Sequence, residues 1–182
     1  MGAGKTSVGR VLAGRLGWTF EDLDVRIERR ERRSVAEIFR ASGEAGFRRA
    51  EQAALKELLN DLPAGGKKIV ALGGGAFASP GNVALIESAN IPTVFLDGEV
   101  EELWQRCGRQ AAHDGMERPL LGNLEGFRNL HDLRRPHYLK ALILQNTSGK
   151  TIEQVAVEII RSLGLDPDGD QKSRRRGKGS DS

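Results

Sequence analysis

The 182-residue sequence holds a single cysteine, Cys107, so no internal disulfide can staple the chain. Its three histidines, His113, His131 and His137, show no metal-ligand spacing, and nothing in them suggests a zinc site. Long apolar runs are also missing. The longest, such as 69–72 and 141–144, fall far short of the roughly 20 residues that a bilayer span needs. The opening Met-Gly-Ala-Gly-Lys-Thr lacks the apolar core of a secretory signal. These absences point to a cytoplasmic protein with no membrane partner. What is present is ordinary for one globular domain: 38% hydrophobic and 29% charged residues.

The net charge of +3 raises the question of a nucleic-acid partner, but the excess sits at one end. Lys172, Arg174, Arg175, Arg176 and Lys178 stand against Asp181 in the last twelve residues, and without them the chain is close to neutral. A basic tail on a neutral domain reads as a disordered, solubilising end, so residues 166–182 are assigned to disorder and no nucleic acid is expected.

Apolar periodicity lays out the remainder, residues 1–165. Val8, Val11, Leu12 and Leu16 predict a helix over about 5–16, closed by Gly17. A short strand over 18–23 delivers Asp22 and Asp24, whose side chains should share one side of the pleat. Ser34-x-x-Glu37 is a capping box, and a longer helix follows over about 45–60. Residues 68–72 read as a buried strand that runs into Gly73-Gly74-Gly75. Ser79-Pro80 opens a helix through Ile86, 92–96 is a strand, and 100–107 a helix. No period marks 109–122, which reads as a loop. Helix over 124–139, interrupted near Pro136, strand over 141–145 and helix over 151–163 complete the chain. Strands alternating with helices indicate an α/β fold with a parallel sheet covered on both faces.

Gly2-Ala3-Gly4-Lys5-Thr6 is the second half of a phosphate-binding loop. Glycines let backbone N–H groups turn onto a phosphate at a helix N-terminus, and lysine adds a point charge. The first glycine of that pattern would fall two residues before Met1, and the strand that feeds the loop is missing, so we expect the natural start to lie upstream. Carboxylates at the end of the neighbouring strand sit where magnesium and an acceptor hydroxyl meet. Three consecutive glycines cost conformational entropy, and close backbone approach to a ligand is the reading that justifies Gly73-Gly74-Gly75. Arg26, Arg29, Arg30, Arg32 and Arg33, interleaved with Glu28 and Glu31, read as a solvated face. Arg48, Arg118 and Arg134 read the same way unless the ligand is anionic, since guanidinium forks suit carboxylates and phosphates. Cys107 is expected in the core.

Taken together, residues 2–10, Asp22-Leu23-Asp24, Phe47-Arg48-Arg49-Ala50-Glu51, Leu72-Gly73-Gly74-Gly75-Ala76, Arg118-Pro119-Leu120-Leu121 and Arg134-Arg135-Pro136-His137-Tyr138 resemble the shikimate kinases over about 1–163. The resemblance implies a P-loop, nucleoside-monophosphate-kinase-like three-layer fold of strand order 2-3-1-4-5, with strand 1 absent here and a lid over about 109–122. It implies ATP and shikimate as substrates, Mg2+ as cofactor, and a monomer. Asp24 would contact the shikimate hydroxyls and orient or deprotonate the attacking one. Arg48, Arg134 and Gly73, Gly74 and Gly75 would hold the substrate carboxylate. Gly2, Ala3, Gly4, Lys5, Thr6 and Ser7 would cradle the nucleotide, Arg106 would lie near adenine, Thr6 and Asp22 would serve magnesium, and Lys5 and Arg118 would neutralise the transferring phosphoryl group. Two rival readings are another small-molecule kinase of this fold, such as gluconate kinase, and a non-catalytic nucleotide- or nucleic-acid-binding protein. The first would not need Arg48 and Arg134 with the triple glycine. The second would depend on the basic tail.

Overall fold

The computed structural model describes residues 2–62, 67–114 and 123–165. Seven helices and four strands alternate among them. They are α1 (Lys5–Leu16), β1 (Thr19–Asp22), α2 (Leu23–Glu31), α3 (Val35–Asn60), β2 (Lys68–Ala71), α4 (Pro80–Ser88), β3 (Val94–Asp97), α5 (Val100–Asp114), α6 (Leu124–Tyr138), β4 (Ile143–Asn146) and α7 (Ile152–Ser162). A short 3-10 turn, Ala76–Ala78, precedes α4.

All strand pairs are parallel, β1 with β2 from Thr19↔Lys68 to Asp22↔Ala71, and β3 with β4 from Val94↔Ile143 to Asp97↔Asn146. Among the described residues the two pairs form separate two-stranded sheets. They are the 2-3 and 4-5 neighbours of the expected strand order. Helix α1 bridges them. Its Gly9 lies against Phe20 and Ile69 of the first pair, while Val8, Leu12 and Leu16 share a core with Leu96 of the second pair and with Val155, Ile159 and Ile160 of α7. Leu103 and Cys107 of α5 and Phe127 of α6 complete that cluster, so the cysteine is a core residue, 1% exposed. A second cluster joins Leu23 and Ile27 of α2 to Ile38, Phe47, Ala54, Leu55 and Leu58 of α3 and to Ile86 of α4.

Local signals explain most boundaries. The capping box at Ser34 and Glu37 forms in both directions, and Thr151 with Gln154 forms another at α7. Gly17 closes α1 in the left-handed region, its N–H bonded to the Ala13 carbonyl. Helix α3 is one span broken at Gly43, where φ 64 and ψ −174 interrupt it.

Three expectations are corrected. Residues 23–31 are helical, with Asp22 as N-cap, because the apolar positions Leu23 and Ile27 recur at a four-residue interval and are fully buried under the charged sequence. Arg26 on this helix is not a solvated charge. Its side chain is 18% exposed and donates to Glu21 and Asp61. Helix α5 continues to Asp114, past the point where the loop over 109–122 was expected to begin. Residues 115–122 and the tail 166–182 lie outside the described residues.

Candidate active site

The phosphate loop leads straight into α1. Gly4, at φ 78, is the N-cap, and Lys5, Thr6 and Ser7 form the first turn. Among the described residues no side chain caps this end, and the positive end of the helix dipole suits an anion. Ala3 is buried, which anchors the loop to the first core cluster.

The acidic pair meets this helix end. Thr6 Oγ1 donates to Asp22 Oδ2 at 2.9 Å. Asp22 Oδ1 accepts from the Asp24 N–H at 3.0 Å, which is how it caps α2. The sequence argument from strand pleating is therefore corrected. Asp24 lies in the first turn of α2, and the two carboxylates adjoin because a cap folds back on its own helix. Burial pushes the Asp24 carboxyl up to about 6, with the Asp22 charge adding to the rise and the Lys5 charge opposing it. Lys5 thus acts on Asp24 across the site.

The glycine turn faces Asp24 and Arg48. A Cβ on Gly73 would come 2.7 Å from Asp24 Oδ1, and one on Gly75 would collide with the Arg48 guanidinium. Side chains at these two positions would displace both groups, which is a specific reason for glycine. Arg48 Nη1 donates to Glu51 Oε2 at 2.9 Å and Nη2 to Glu44 Oε1 at 3.2 Å. The Tyr138 hydroxyl donates to the Gly74 carbonyl. Burial raises the Tyr138 phenol, with the charges of Arg134 and Arg48 and a hydrogen bond from Arg134 opposing the rise, so both guanidiniums act on this phenol. Two arginines, a phenol and a glycine turn thus converge beside Asp24.

Arg106 lies on the other side, on α5. It donates to Thr147 Oγ1 at 3.2 Å, to the Thr147 carbonyl at 3.1 Å and to Glu102 at 3.2 Å, which ties α5 to the end of β4. Arg118 lies outside the described residues. Sequence reasoning assigned no role to Glu51, Asn82, Tyr138 or Thr147. Glu51 carried a signal: a carboxylate between Ala50 and Ala53-Ala54-Leu55, three residues after Arg48, lies on the inward face of its helix. No group of three or more His, Cys, Asp or Glu suited to a metal occurs among the described residues. A hydroxyl–carboxylate pair suits magnesium, a hard cation that takes one or two protein oxygens and completes its shell with water and phosphate.

Fold and site define a P-loop kinase: a glycine loop at a helix N-terminus, an acidic pair beside it, and a glycine turn flanked by Arg48 and Tyr138. A family model described as shikimate kinase matches residues 1–164. The shikimate kinase of Thermus thermophilus is 39% identical over 168 residues, covering 90% of this chain and 85% of that one. That of Cereibacter sphaeroides is 37% identical over 171 residues, covering 92% and 81%. The solved structure of the shikimate kinase from Acinetobacter baumannii in complex with shikimate superposes with a TM-score of 0.78 at 34% identity, covering 90% of this chain and 88% of that one. The chain belongs to the shikimate kinase family, a family of ATP-dependent phosphotransferases.

Proposed function

We propose that this protein transfers the γ-phosphoryl group of ATP to the 3-hydroxyl of shikimate, giving shikimate 3-phosphate. The observation that carries this reading is the convergence of Asp24 and Arg48 on one glycine turn, with Arg134 joined through Tyr138. A polyol with a carboxylate fits such a pocket, whereas a neutral polyol would leave the arginines without a ligand.

Arg48, Arg134 and the backbone of Gly73, Gly74 and Gly75 hold the acceptor carboxylate, guanidinium forks supplying paired donors. Asp24 accepts a hydrogen bond from the attacking hydroxyl and takes its proton as the oxygen–phosphorus bond forms. A carboxyl at about 6 is ionised at neutral pH yet basic enough to share that proton. The amides of Gly2, Ala3, Gly4 and the first turn through Ser7 hold the nucleotide phosphates, and Lys5 offsets charge on the transferring group. Thr6 and Asp22 would hold Mg2+, which would supply charge neutralisation on the phosphates. Arg106 borders the base. Arg118, which lies outside the described residues, would complete the charge neutralisation on the transferring group. Residues 1–165 then form one kinase domain that acts as a cytoplasmic monomer on small molecules.

Product analysis tests this reading. With shikimate and MgATP, 31P NMR is expected to show a phosphomonoester on the 3-hydroxyl, and gluconate is expected to give none. Equal turnover of gluconate would move the assignment to another small-molecule kinase.

A further inference from the structure

Asn82 lies in the first turn of α4 and is 0% exposed, on a face otherwise given to the second apolar cluster. Its side-chain amide spends both protons on acceptors, donating to the Ala76 carbonyl at 3.1 Å and to Glu51 Oε2 at 3.2 Å. Turned the other way, the amide oxygen would face a carbonyl and a carboxylate, so these neighbours fix its orientation. Glu51 is also 0% exposed, and the oxygen that accepts from Asn82 accepts from Arg48 as well. The guanidinium of Arg48 in turn lies against Gly75, next to Ala76. Glycine turn, Asn82, Glu51 and Arg48 therefore close a ring.

Stability alone does not explain this ring. Glu51 Oε1 and Asn82 Oδ1 are buried with no hydrogen-bond partner among the described residues, so the ring carries unpaired buried acceptors as a cost. Shared use of one carboxylate oxygen does have a geometric consequence. It pins the Glu51 carboxylate from two sides and so sets the plane of the Arg48 guanidinium, leaving further N–H donors of that group for a ligand.

We propose that Asn82 is a positioning residue for the acceptor site: through Glu51 it holds Arg48 in register with the glycine turn, so that guanidinium and turn meet the acceptor carboxylate together. The proposal rests on the reading of Arg48 as a carboxylate ligand.

The test is steady-state kinetics of the full chain as wild type, Asn82→Leu, Arg48→Lys and the double variant, with shikimate and ATP varied separately and melting temperatures recorded. Expected are a rise of about tenfold in the KM for shikimate in Asn82→Leu, an ATP KM within about twofold, and no further rise when Asn82→Leu is added to Arg48→Lys. Should Asn82→Leu fail to fold, Asn82→Ala removes both donors without added bulk or charge and carries the same expectations. A shikimate KM unchanged by the Asn82 variant while Arg48→Lys raises it would overturn the proposal alone, as would effects that simply add. An unchanged KM in Arg48→Lys would overturn the reading of Arg48 together with it.

Discussion

The two apolar clusters lie under different halves of the proposed site. The first is built from Val8, Leu12 and Leu16, Leu103 and Cys107, Phe127 and the inner face of α7, and the buried polar residues on its side, Gln145 and Thr147, are uncharged. The cluster under the acceptor pocket packs against Glu51 and Asn82, both fully buried. The contrast follows from what each half must recognise. Phosphates are held by backbone N–H groups at a helix end, which needs only a firmly packed helix. An acceptor with a carboxylate and several hydroxyls needs side chains in fixed orientations, and those must be braced from behind by other polar groups. On this reading, recognition by main chain keeps charge out of the core, whereas recognition by side chain brings a carboxylate, Glu51, into it.

Substitutions on either side should separate accordingly. The largest effect belongs to Asp24→Asn, which is expected to lower turnover by about 10²–10⁴-fold while nucleotide titration shows ATP binding largely kept. The same variant should be more stable than wild type at pH 8. The Asp24 carboxyl is raised from 3.8 to about 6 by folding, so the folded chain binds the proton more tightly, and stability present below pH 3.8 is lost as pH rises through about 6. Two units correspond to roughly 1–3 kcal/mol, so thermal melts of wild type and variant should diverge above pH 6 and converge near pH 4. Next, Phe127→Ala in the apolar cluster should cost about 3–5 kcal/mol in denaturant unfolding, with both KM values of the folded fraction unchanged. A selective rise in one KM would break the comparison.

Smaller effects sharpen it. Tyr138→Phe removes the bond to Gly74 and the phenol that Arg134 meets, and a loss of about 1–2 kcal/mol in kcat/KM for shikimate, with ATP unaffected, is expected from initial-rate kinetics. Glu21→Gln is the smallest. Hydrogen bonds from Arg26 and then Lys68 hold the Glu21 carboxyl down at about 2, so its contribution is present above pH 4.5 and lost as pH falls toward 2. The variant should be less stable by about 1 kcal/mol at pH 7 and should match wild type near pH 2 in urea titrations.

The half that binds phosphate was the more legible in the sequence. Gly2-Ala3-Gly4-Lys5-Thr6 and the period of Val8, Leu12 and Leu16 are local signals, and α1 spans the residues they mark. Helix α2 was hidden because nine residues, Leu23–Glu31, carry only three apolar side chains amid charge, and the two that matter, Leu23 and Ile27, are buried by α3 rather than by any local feature. Asp22 and Asp24 do adjoin, but an N-cap and not a pleat joins them. Glu51 pairs with Arg48 three residues away on one helix, whereas Asn82 meets Glu51, and Tyr138 meets Gly74, only through tertiary packing, so neither of these two has a local pattern. Distance in sequence, not subtlety of chemistry, kept them from view.

The central claim is that one side of this molecule is shaped for a carboxylated acceptor hydroxyl and the other for a nucleotide. Shikimate-dependent ADP release from MgATP by the folded chain, followed in a coupled assay with Arg48→Ala alongside, tests it most directly. The account predicts ADP release that requires shikimate in the wild type and a shikimate KM raised by about 10²-fold, with the ATP KM held, in the variant. Folded wild-type protein that releases no ADP on addition of shikimate, or a variant that loses both substrates equally, would contradict it.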